Sequence, residues 1–107
     1  MKIQQYQVVI VNLDPTKGSE IKKTRPCVVI SPDEMNKYLK TVTIAPITSK
    51  SKSYPTRIEF SLKGQKSWII IDQIRTIDKV RIHKKAAILS NNEMKKIKAV
   101  IKETFVD

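Results

Sequence analysis

The sequence predicts a β-rich (α+β) fold in which a small β-barrel is closed by a C-terminal helix. Between residues 7 and 82, short apolar runs alternate with turn residues, and no long helical pattern intervenes. That order excludes a doubly wound α/β fold, which needs a helix between successive parallel strands. The only two glycines, Gly18 and Gly64, fall in predicted turns and support the strand boundaries. The length fits a single domain over residues 1–107.

Two strands and a long loop are predicted at the start of the chain. Residues 7–13 are rich in β-branched side chains and precede Asp14-Pro15, which is typical of a strand closed by a turn. Residues 14–24 have the proline, glycine and serine content of a loop, and residues 26–31 predict the second strand. Cys27, within that strand, is interpreted as a small buried apolar residue.

A short helix and a third strand follow. Ser31, Pro32 and Glu34 match a helix start, with serine as the N-cap, proline in the first position and glutamate three residues after the cap. The helix is expected from Pro32 to about Tyr38. Residues 41–47 predict the third strand, in which Pro46 indicates an edge position or a strand end.

The second half of the chain predicts a hairpin, further strands and a final helix. Residues 56–62 alternate polar and apolar side chains, a turn follows at residues 63–65, and residues 67–74 are apolar on both faces, as in a central strand. A further short strand is expected at residues 77–82. A second capping box opens the last helix at Ser90, whose predicted apolar stripe comprises Met94, Ile97, Val100, Ile101 and Phe105.

Positive charge is concentrated in the middle of the chain. The net charge is +11, from 21 lysines and arginines and 10 acidic residues. Residues 37–85 hold twelve basic and three acidic side chains, whereas the segments before and after them each carry a net charge of +1. This distribution indicates a polyanionic partner, which could be nucleic acid, an anionic membrane or an acidic protein segment. A lysine-rich surface that only aids solubility is the alternative.

Several classes of site lack the residues they need. The single cysteine, Cys27, excludes an intrachain disulfide and a cysteine-based zinc cage. The single histidine, His83, excludes a two-histidine acid–base pair and is interpreted as a surface residue. The acidic residues are scattered, so no metal site and no cofactor are predicted. No bilayer-spanning run and no signal peptide are visible, and a cytoplasmic protein without a membrane partner is expected.

Metal-free cleavage of RNA is compatible with these residue types. The ribose 2′-OH can attack the adjoining phosphate when a site orients it and stabilises the extra charge on phosphorus. Arginine suits that role because its planar guanidinium stays charged and donates paired hydrogen bonds to phosphate. Composition does not choose among the candidates, which are Arg25, Arg57, Arg75 and Arg81, with Thr48 and Ser49 after a strand end.

Six motifs, in order along the chain, resemble those of the MazF/PemK family of toxin–antitoxin endoribonucleases, or mRNA interferases. They fall within about residues 8–101. They are residues 13–20 (LDPTKGSE), Arg25-Pro26 with residues 28–32 (VVISP), residues 45–49 (APITS), residues 54–57 (YPTR), residues 72–79 (DQIRTIDK), and Leu89-Ser90 with Glu93. Each motif alone is weak evidence for the family. The six motifs occur in the same order as in the family, which makes the resemblance specific.

The resemblance implies an SH3-like barrel of the CcdB/MazF/PemK type that forms a homodimer. It also implies a sequence-specific, metal-independent endoribonuclease that cuts single-stranded mRNA. The expected products are a 2′,3′-cyclic phosphate and a 5′-hydroxyl, in agreement with the 2′-OH route. The implied protein partner is an acidic-tailed, MazE-like antitoxin whose tail blocks the RNA groove. RNA and antitoxin are expected to compete because the same positive charge attracts both.

The resemblance implies roles for individual residues. Arg25 matches a catalytic arginine, and Thr48 matches an essential threonine. Glu20, the third catalytic candidate, orients Arg25 or accepts the 2′-OH proton, and the alternative is an ordinary loop carboxylate. Because arginine keeps its proton, Arg25 suits stabilisation of the phosphorane and leaving oxygen rather than general-base catalysis. The expected RNA contacts are Ser19, Ser49, Lys50, Tyr54, Asp72, Gln73 and Arg75.

The acid–base pair of PemK-type members does not carry over to this sequence. Those members have a histidine before the loop glutamate and an arginine two residues before the aspartate, whereas this chain has Ser19 and Ile70. The MazF-type arrangement is therefore expected. On a regular strand, Asp72 shares a face with Ile70, and Gln73 and Arg75 lie on the other face. Gln73 is the first choice for a base contact and Asp72 the second.

Alternatives remain for two aromatic side chains and for the function. Trp68 is expected in the core, whereas Tyr54 fits either stacking on a base or an ordinary surface position. A gyrase poison of the CcdB type shares the barrel without cleaving RNA, and a basic RNA-binding module would bind without catalysis. RNA cleavage is preferred because the gyrase poison has no need of the pair Arg25 and Thr48.

Overall fold

The computed structural model describes residues 2–12 and 24–106. Within them the chain forms seven strands and two helices in the order β1 (Gln7–Asn12), β2 (Thr24–Val29), α1 (Asp33–Tyr38), β3 (Thr41–Thr48), β4 (Arg57–Leu62), β5 (Gln65–Ile70), β6 (Arg75–Asp78), β7 (Ile82–Ile88) and α2 (Asn91–Ile101). A π-helical turn, Lys102–Val106, follows α2. None of the helices in these segments is long and apolar enough to cross a membrane.

The strands form a curled antiparallel sheet in the order β4-β5-β3-β2-β1-β7. One edge of β3 pairs with β2. Its other edge is shared, because residues 41–44 pair with β6 and residues 47–48 pair with β5. The sheet therefore divides at β3, where β5 and β6 leave in different directions. The predicted β-rich fold with a short internal helix and a C-terminal helix is confirmed, as a half-barrel.

Apolar residues are buried on both faces of β1, β2 and β3 because their side chains alternate between two clusters. The helix-side cluster lies against α2 and includes Val8, Val28, Ala45, Ile47, Ile69 and Ile97. The opposite-side cluster includes Val9, Val11, Cys27, Val29, Ile44 and Ile77. Cys27 is fully buried, as expected. Burial of each valine or isoleucine side chain in these clusters contributes about 1.5–3 kcal/mol to the stability of the fold.

The C-terminal helix begins at the predicted capping box. The Ser90 hydroxyl accepts a hydrogen bond from the Glu93 N–H at 3.2 Å, and the Glu93 carboxylate accepts one from the Ser90 N–H at 2.9 Å. Ile97 is buried, and the other stripe residues within α2 pack against the helix-side cluster. The predicted place of Phe105 in this stripe is wrong. It lies in the π-helical turn, where the helical period changes, and is 58% exposed.

The start of α1 differs from the prediction. Pro32 has an extended backbone and is the N-cap, so the helix begins at Asp33. The Ser31 hydroxyl does not cap α1. It donates a hydrogen bond to Oδ1 of Asn36 and accepts one from the Thr43 N–H at 3.1 Å. Ser31 and Asn36 are both buried, so their hydrogen bonds attach α1 to β3.

Two strand predictions in the second half are wrong. The expected strand over residues 67–74 ends at Ile70, and a 3-10 turn follows at Ile71–Gln73. The expected strand over residues 77–82 is interrupted by a second 3-10 turn, Lys79–Arg81, and β7 begins after it. The sequence pattern did not predict β7 because its middle residues are polar and exposed, as suits the last strand of a sheet.

Pro46 lies in a central strand, contrary to the expectation of an edge or a strand end. On the shared edge of β3, it falls between the residues that pair with β6 and those that pair with β5. The missing N–H of proline is tolerated there because this edge has no paired residue at that point. The expected central position of the strand that contains Trp68 is confirmed, since β5 lies between β4 and β3.

Candidate functional site

Three of the predicted site residues lie on the same side of the sheet. Arg25 pairs with Val11 across β1 and β2, and Val11 belongs to the opposite-side cluster. Arg75 pairs with Ile44 of the same cluster, and Thr48 follows Ile44 by four residues on β3. Paired residues share a face, and side chains alternate along a strand. Arg25, Thr48 and Arg75 therefore lie on the face of the opposite-side cluster.

The Cys27 thiol lies within the electrostatic reach of both arginines. Burial raises its pKa to about 12, while the positive charges of Arg25 and Arg75 act in the opposite direction. Both guanidinium groups are thus near the same buried sulfur, in agreement with their common face. A thiol with this pKa stays protonated at neutral pH, so Cys27 is not suited to act as a nucleophile.

A pocket of about 410 Å³ opens where β2 and β3 separate. The two strands are not paired at the start of β2 and the end of β3. Arg25 lines it from the start of β2, and Thr48, Ser49 and Lys50 line it from the end of β3. Two cations and two hydroxyls form this wall, and no carboxylate is among the described residues that line the pocket. The wall is therefore suited to an anion such as phosphate.

The other side of the pocket is formed by the hairpin of β4 and β5. Leu62, Gln65 and Ser67 line it there, and Pro26 and Ile47 complete the lining. None of these five lining residues was predicted as a site residue. The position of the three hairpin residues depends on the pairing of β5 with β3, which connects segments that are far apart in the sequence, and no local pattern signals that contact.

The Thr48 hydroxyl is hydrogen-bonded to the backbone of Lys50, just after β3. It accepts a hydrogen bond from the Lys50 N–H at 3.1 Å and donates a long one, 3.4 Å, to the Lys50 carbonyl. The first contact fixes the side chain at the mouth of the pocket. Because the second contact is weak, the hydroxyl can donate its hydrogen to an incoming phosphate oxygen instead.

The family model described as PemK-like, MazF-like toxin of type II toxin–antitoxin system matches residues 4–105. The chain belongs to this family. The match spans all seven described strands and both helices, so the resemblance inferred from the six motifs is confirmed over nearly the whole sequence.

Solved structures of MazF toxins share the fold. MazF from Deinococcus radiodurans superimposes with a TM-score of 0.82 at 21% identity, covering 100% of this chain and 99% of that chain. The Mycobacterium tuberculosis toxin MazF-mt6 gives 0.79 at 21% identity, covering 94% and 96%. A mycobacterial endoribonuclease in complex with its cognate antitoxin gives 0.83 at 16% identity, covering 97% and 95%.

A second polar cluster lies next to the 3-10 turn that follows β5. The Asp72 carboxylate accepts hydrogen bonds from the Thr56 hydroxyl at 2.8 Å and from Nε of Arg57 at 3.4 Å. Arg57 also donates to the Ser51 hydroxyl at 2.9 Å, and its guanidinium lies 4.9 Å from the centre of the Tyr54 ring. These contacts attach the loop between β3 and β4 to the turn that contains Asp72.

The pKa of Asp72 is lowered in this cluster. Desolvation is the largest single influence and raises the pKa, but the hydrogen bonds from Thr56 and Arg57, a backbone hydrogen bond and the positive charge of Arg57 together outweigh it. Asp72 thus acts as an ionised acceptor that holds the loop.

The remaining predicted residues are distributed as follows. Gln73 and Arg75 are exposed and are not among the residues that line the 410 Å³ pocket. The expectation that Asp72 and Gln73 occupy opposite faces of a strand is wrong, because both lie in the 3-10 turn. Ser19 and Glu20 lie outside the described residues. Within the described segments, no group of three or more His, Cys, Asp or Glu side chains could hold a metal ion.

The aromatic residues and His83 take the following positions. Trp68 is buried, as expected, and the Nζ of Lys66 lies 5.3 Å from its ring centre. Tyr54 is 48% exposed and stacks with Arg57, so one face of its ring is already in contact with protein. His83 is exposed on β7, as expected.

Replacing Asp72 by asparagine is expected to lower stability near neutral pH and to have little effect in acid. The folded-state pKa is lowered, so the carboxylate stabilises the fold above its ordinary value of 3.8, and this contribution is lost as the pH falls through the lower folded value. The Asp72 side chain is 37% exposed, and solvent screening limits the expected difference to about 1 kcal/mol or less. Urea denaturation of both proteins across the acid range measures it.

The matched control for this experiment is Glu59→Gln. It removes an exposed carboxylate that lies 3.6 Å from Lys66 and takes no part in the Asp72 cluster. We expect a smaller change in the free energy of unfolding, because such exposed ion pairs contribute little. If the difference between wild type and Asp72→Asn increased in acid, the stabilising role of the ionised carboxylate would be contradicted.

Proposed function

We propose that this chain is a metal-independent endoribonuclease toxin that cuts single-stranded mRNA at a short sequence motif. The observation that supports this proposal most directly is the pocket wall formed by Arg25, Thr48, Ser49 and Lys50. The wall combines a guanidinium, an ammonium and two hydroxyls beside a cavity large enough for part of a nucleotide. Membership of the toxin family and the likeness to MazF folds support the same assignment.

The reaction that fits this wall is an internal transfer of the RNA phosphate. The ribose 2′ oxygen forms a bond to phosphorus, and the bond from phosphorus to the 5′ oxygen of the next nucleotide breaks. The products are a 2′,3′-cyclic phosphate and a 5′-hydroxyl end. Arg25 would donate paired hydrogen bonds to the phosphorane oxygens, and the Thr48 hydroxyl would orient the same phosphate.

Two protons must move in this reaction. The 2′-hydroxyl loses a proton as it attacks, and the 5′ oxygen takes one from water as it leaves. Arg25 remains protonated, so it stabilises charge and does not act as the base. Glu20 is the proposed acceptor of the 2′-OH proton or, in its other role, the residue that orients Arg25. Ser19, Tyr54, Asp72, Gln73 and Arg75 remain proposed RNA contacts.

The proposed protein partners are a second copy of the chain and an acidic-tailed, MazE-like antitoxin. A mycobacterial structural neighbour is in complex with its cognate antitoxin, and MazE–MazF structures from Deinococcus radiodurans match this fold with TM-scores of 0.79–0.82. An acidic tail and RNA phosphates present the same charge to the cationic wall, so we propose that they compete for it. A cytoplasmic location would place the toxin with its mRNA substrate.

Cleavage of a mixed-sequence RNA in excess chelator tests the proposed function. We expect wild type to cut, Arg25→Ala and Thr48→Ala to cut about 10²–10³-fold more slowly, and mass spectrometry to find the cyclic phosphate. Arg25→Lys keeps the charge but loses the planar fork, so an intermediate rate is expected. Arg81→Ala is the matched control, because Arg81 lies in the turn before β7 and does not line the pocket.

Different failures of this experiment point to different functions. Intact RNA together with inhibited DNA supercoiling would select a gyrase poison. Tight RNA binding without cyclic-phosphate product would select a binding module. Cutting by Arg25→Ala at the wild-type rate would contradict the role given to that residue while leaving nuclease activity in place.

The salt dependence of RNA binding tests the place of Lys50 in the cationic wall. Each phosphate contact to single-stranded nucleic acid contributes about 0.7 to the slope of log affinity against log salt concentration. Lys50→Ala is therefore expected to reduce that slope by about this amount. Fluorescence anisotropy with a single-stranded RNA whose 2′-hydroxyls are methylated measures binding without cleavage. Lys95→Ala, exposed on α2, is the control and should leave the slope unchanged. Equal slopes for wild type and Lys50→Ala would be evidence against the proposed groove.

A further inference from the structure

The two walls of the 410 Å³ pocket differ in chemistry. The wall of Arg25, Thr48, Ser49 and Lys50 is cationic and hydroxylic, whereas the hairpin wall has an apolar side chain, an amide and a hydroxyl, those of Leu62, Gln65 and Ser67. Pro26 and Ile47 also line the pocket. Apolar surfaces with a few placed hydrogen-bonding groups are typical of sites for flat organic ligands such as nucleobases.

The hairpin holds Gln65 in a fixed position. Its two-residue turn has positive φ at both positions, 51° at Lys63 and 84° at Gly64, as in the tight turns that match the twist of paired strands. Gln65 follows the turn directly and pairs with Leu62, while Ser67 pairs with Phe60. These four side chains share one face of the hairpin, and the inner pair, Phe60 and Ser67, is buried. The core thus anchors the face on which Gln65 lies.

The hydrogen-bonding groups on this wall complement the edge of a base. The Ser67 hydroxyl donates to the Gln65 carbonyl at 3.2 Å, which leaves its oxygen lone pairs to accept. The side-chain amide of Gln65 offers both a donor and an acceptor in one plane, and this pair of groups can bind two neighbouring atoms of a base edge. Gln65 is exposed, so the amide is accessible to RNA.

We propose that the hairpin wall binds the nucleobase next to the cleaved phosphate, and that Gln65 determines which base is accepted there. This inference rests on the proposed function, because it places the phosphate on the Arg25 wall. A base and its phosphate are joined through one ribose, so a phosphate held by Arg25 and Thr48 brings an adjoining base to the opposite wall of the same pocket. Gln65 is then a specificity-determining residue, and Arg25 and Thr48 act on any RNA that enters.

Sequencing the 5′ ends produced from a mixed-sequence RNA tests this inference. For Gln65→Ala and Gln65→Glu, we expect the preference at one position next to the cut to fall by about 10–100-fold, with the other positions of the motif unchanged. Gln65→Glu keeps an acceptor and loses the donor, so its preferred base should differ from that of wild type. Ser61→Ala is the matched control, because Ser61 lies on the same hairpin, exposed and on the other face.

The outcomes separate this inference from the proposed function. If wild type cuts RNA and both Gln65 variants keep the wild-type motif, the hairpin assignment is wrong and the nuclease assignment stands. If Ser61→Ala changes the motif as much as the Gln65 variants do, the effect belongs to the hairpin as a whole, and the assignment to Gln65 is also wrong. If wild type leaves all RNA intact, both proposals are overturned.

Discussion

The shared edge of β3 is the constraint on which the rest of this structure depends. One strand pairs with β2 along one edge and with both β6 and β5 along the other, so the sheet must divide at the middle of β3. The division puts the β4–β5 hairpin beyond the end of β3 and beside the start of β2. The pocket lies at this junction, where three backbone segments meet. A cationic wall and a hairpin wall therefore face one cavity as a consequence of strand pairing, and no helical residue of the described segments lines it.

The local patterns that predicted the fold correctly consist of residues that favour one particular backbone structure. β-branched runs predicted β1 and β2, Gly64 marked a turn that needs positive φ, and Ser90 with Glu93 marked the start of α2. Arg25 and Thr48 were selected by the order of the motifs, and strand pairing brings both to one pocket.

What the sequence could not show depends on contacts between distant segments. The apolar run after Ser67 gave no sign that the strand stops at Ile70, because Ile71, the first residue of the 3-10 turn, is buried and apolar like the strand residues before it. Asp72 was therefore assigned to a strand face, although its carboxylate holds Thr56 and Arg57. Gln65 gave no signal because it becomes a pocket residue only when β5 pairs with β3.

A crystal structure of the chain with a short RNA whose nucleotide at the cut site lacks its 2′-hydroxyl would show directly whether the two walls hold a phosphate and a base. Removing the nucleophile prevents cleavage and leaves the phosphate and bases unchanged. We expect the phosphate at the cut site to accept hydrogen bonds from Arg25 and Thr48, with an adjoining base against Gln65 and the apolar side chain of Leu62. A phosphate bound elsewhere on the sheet, with the guanidinium of Arg25 in solvent and the pocket empty, would contradict this expectation.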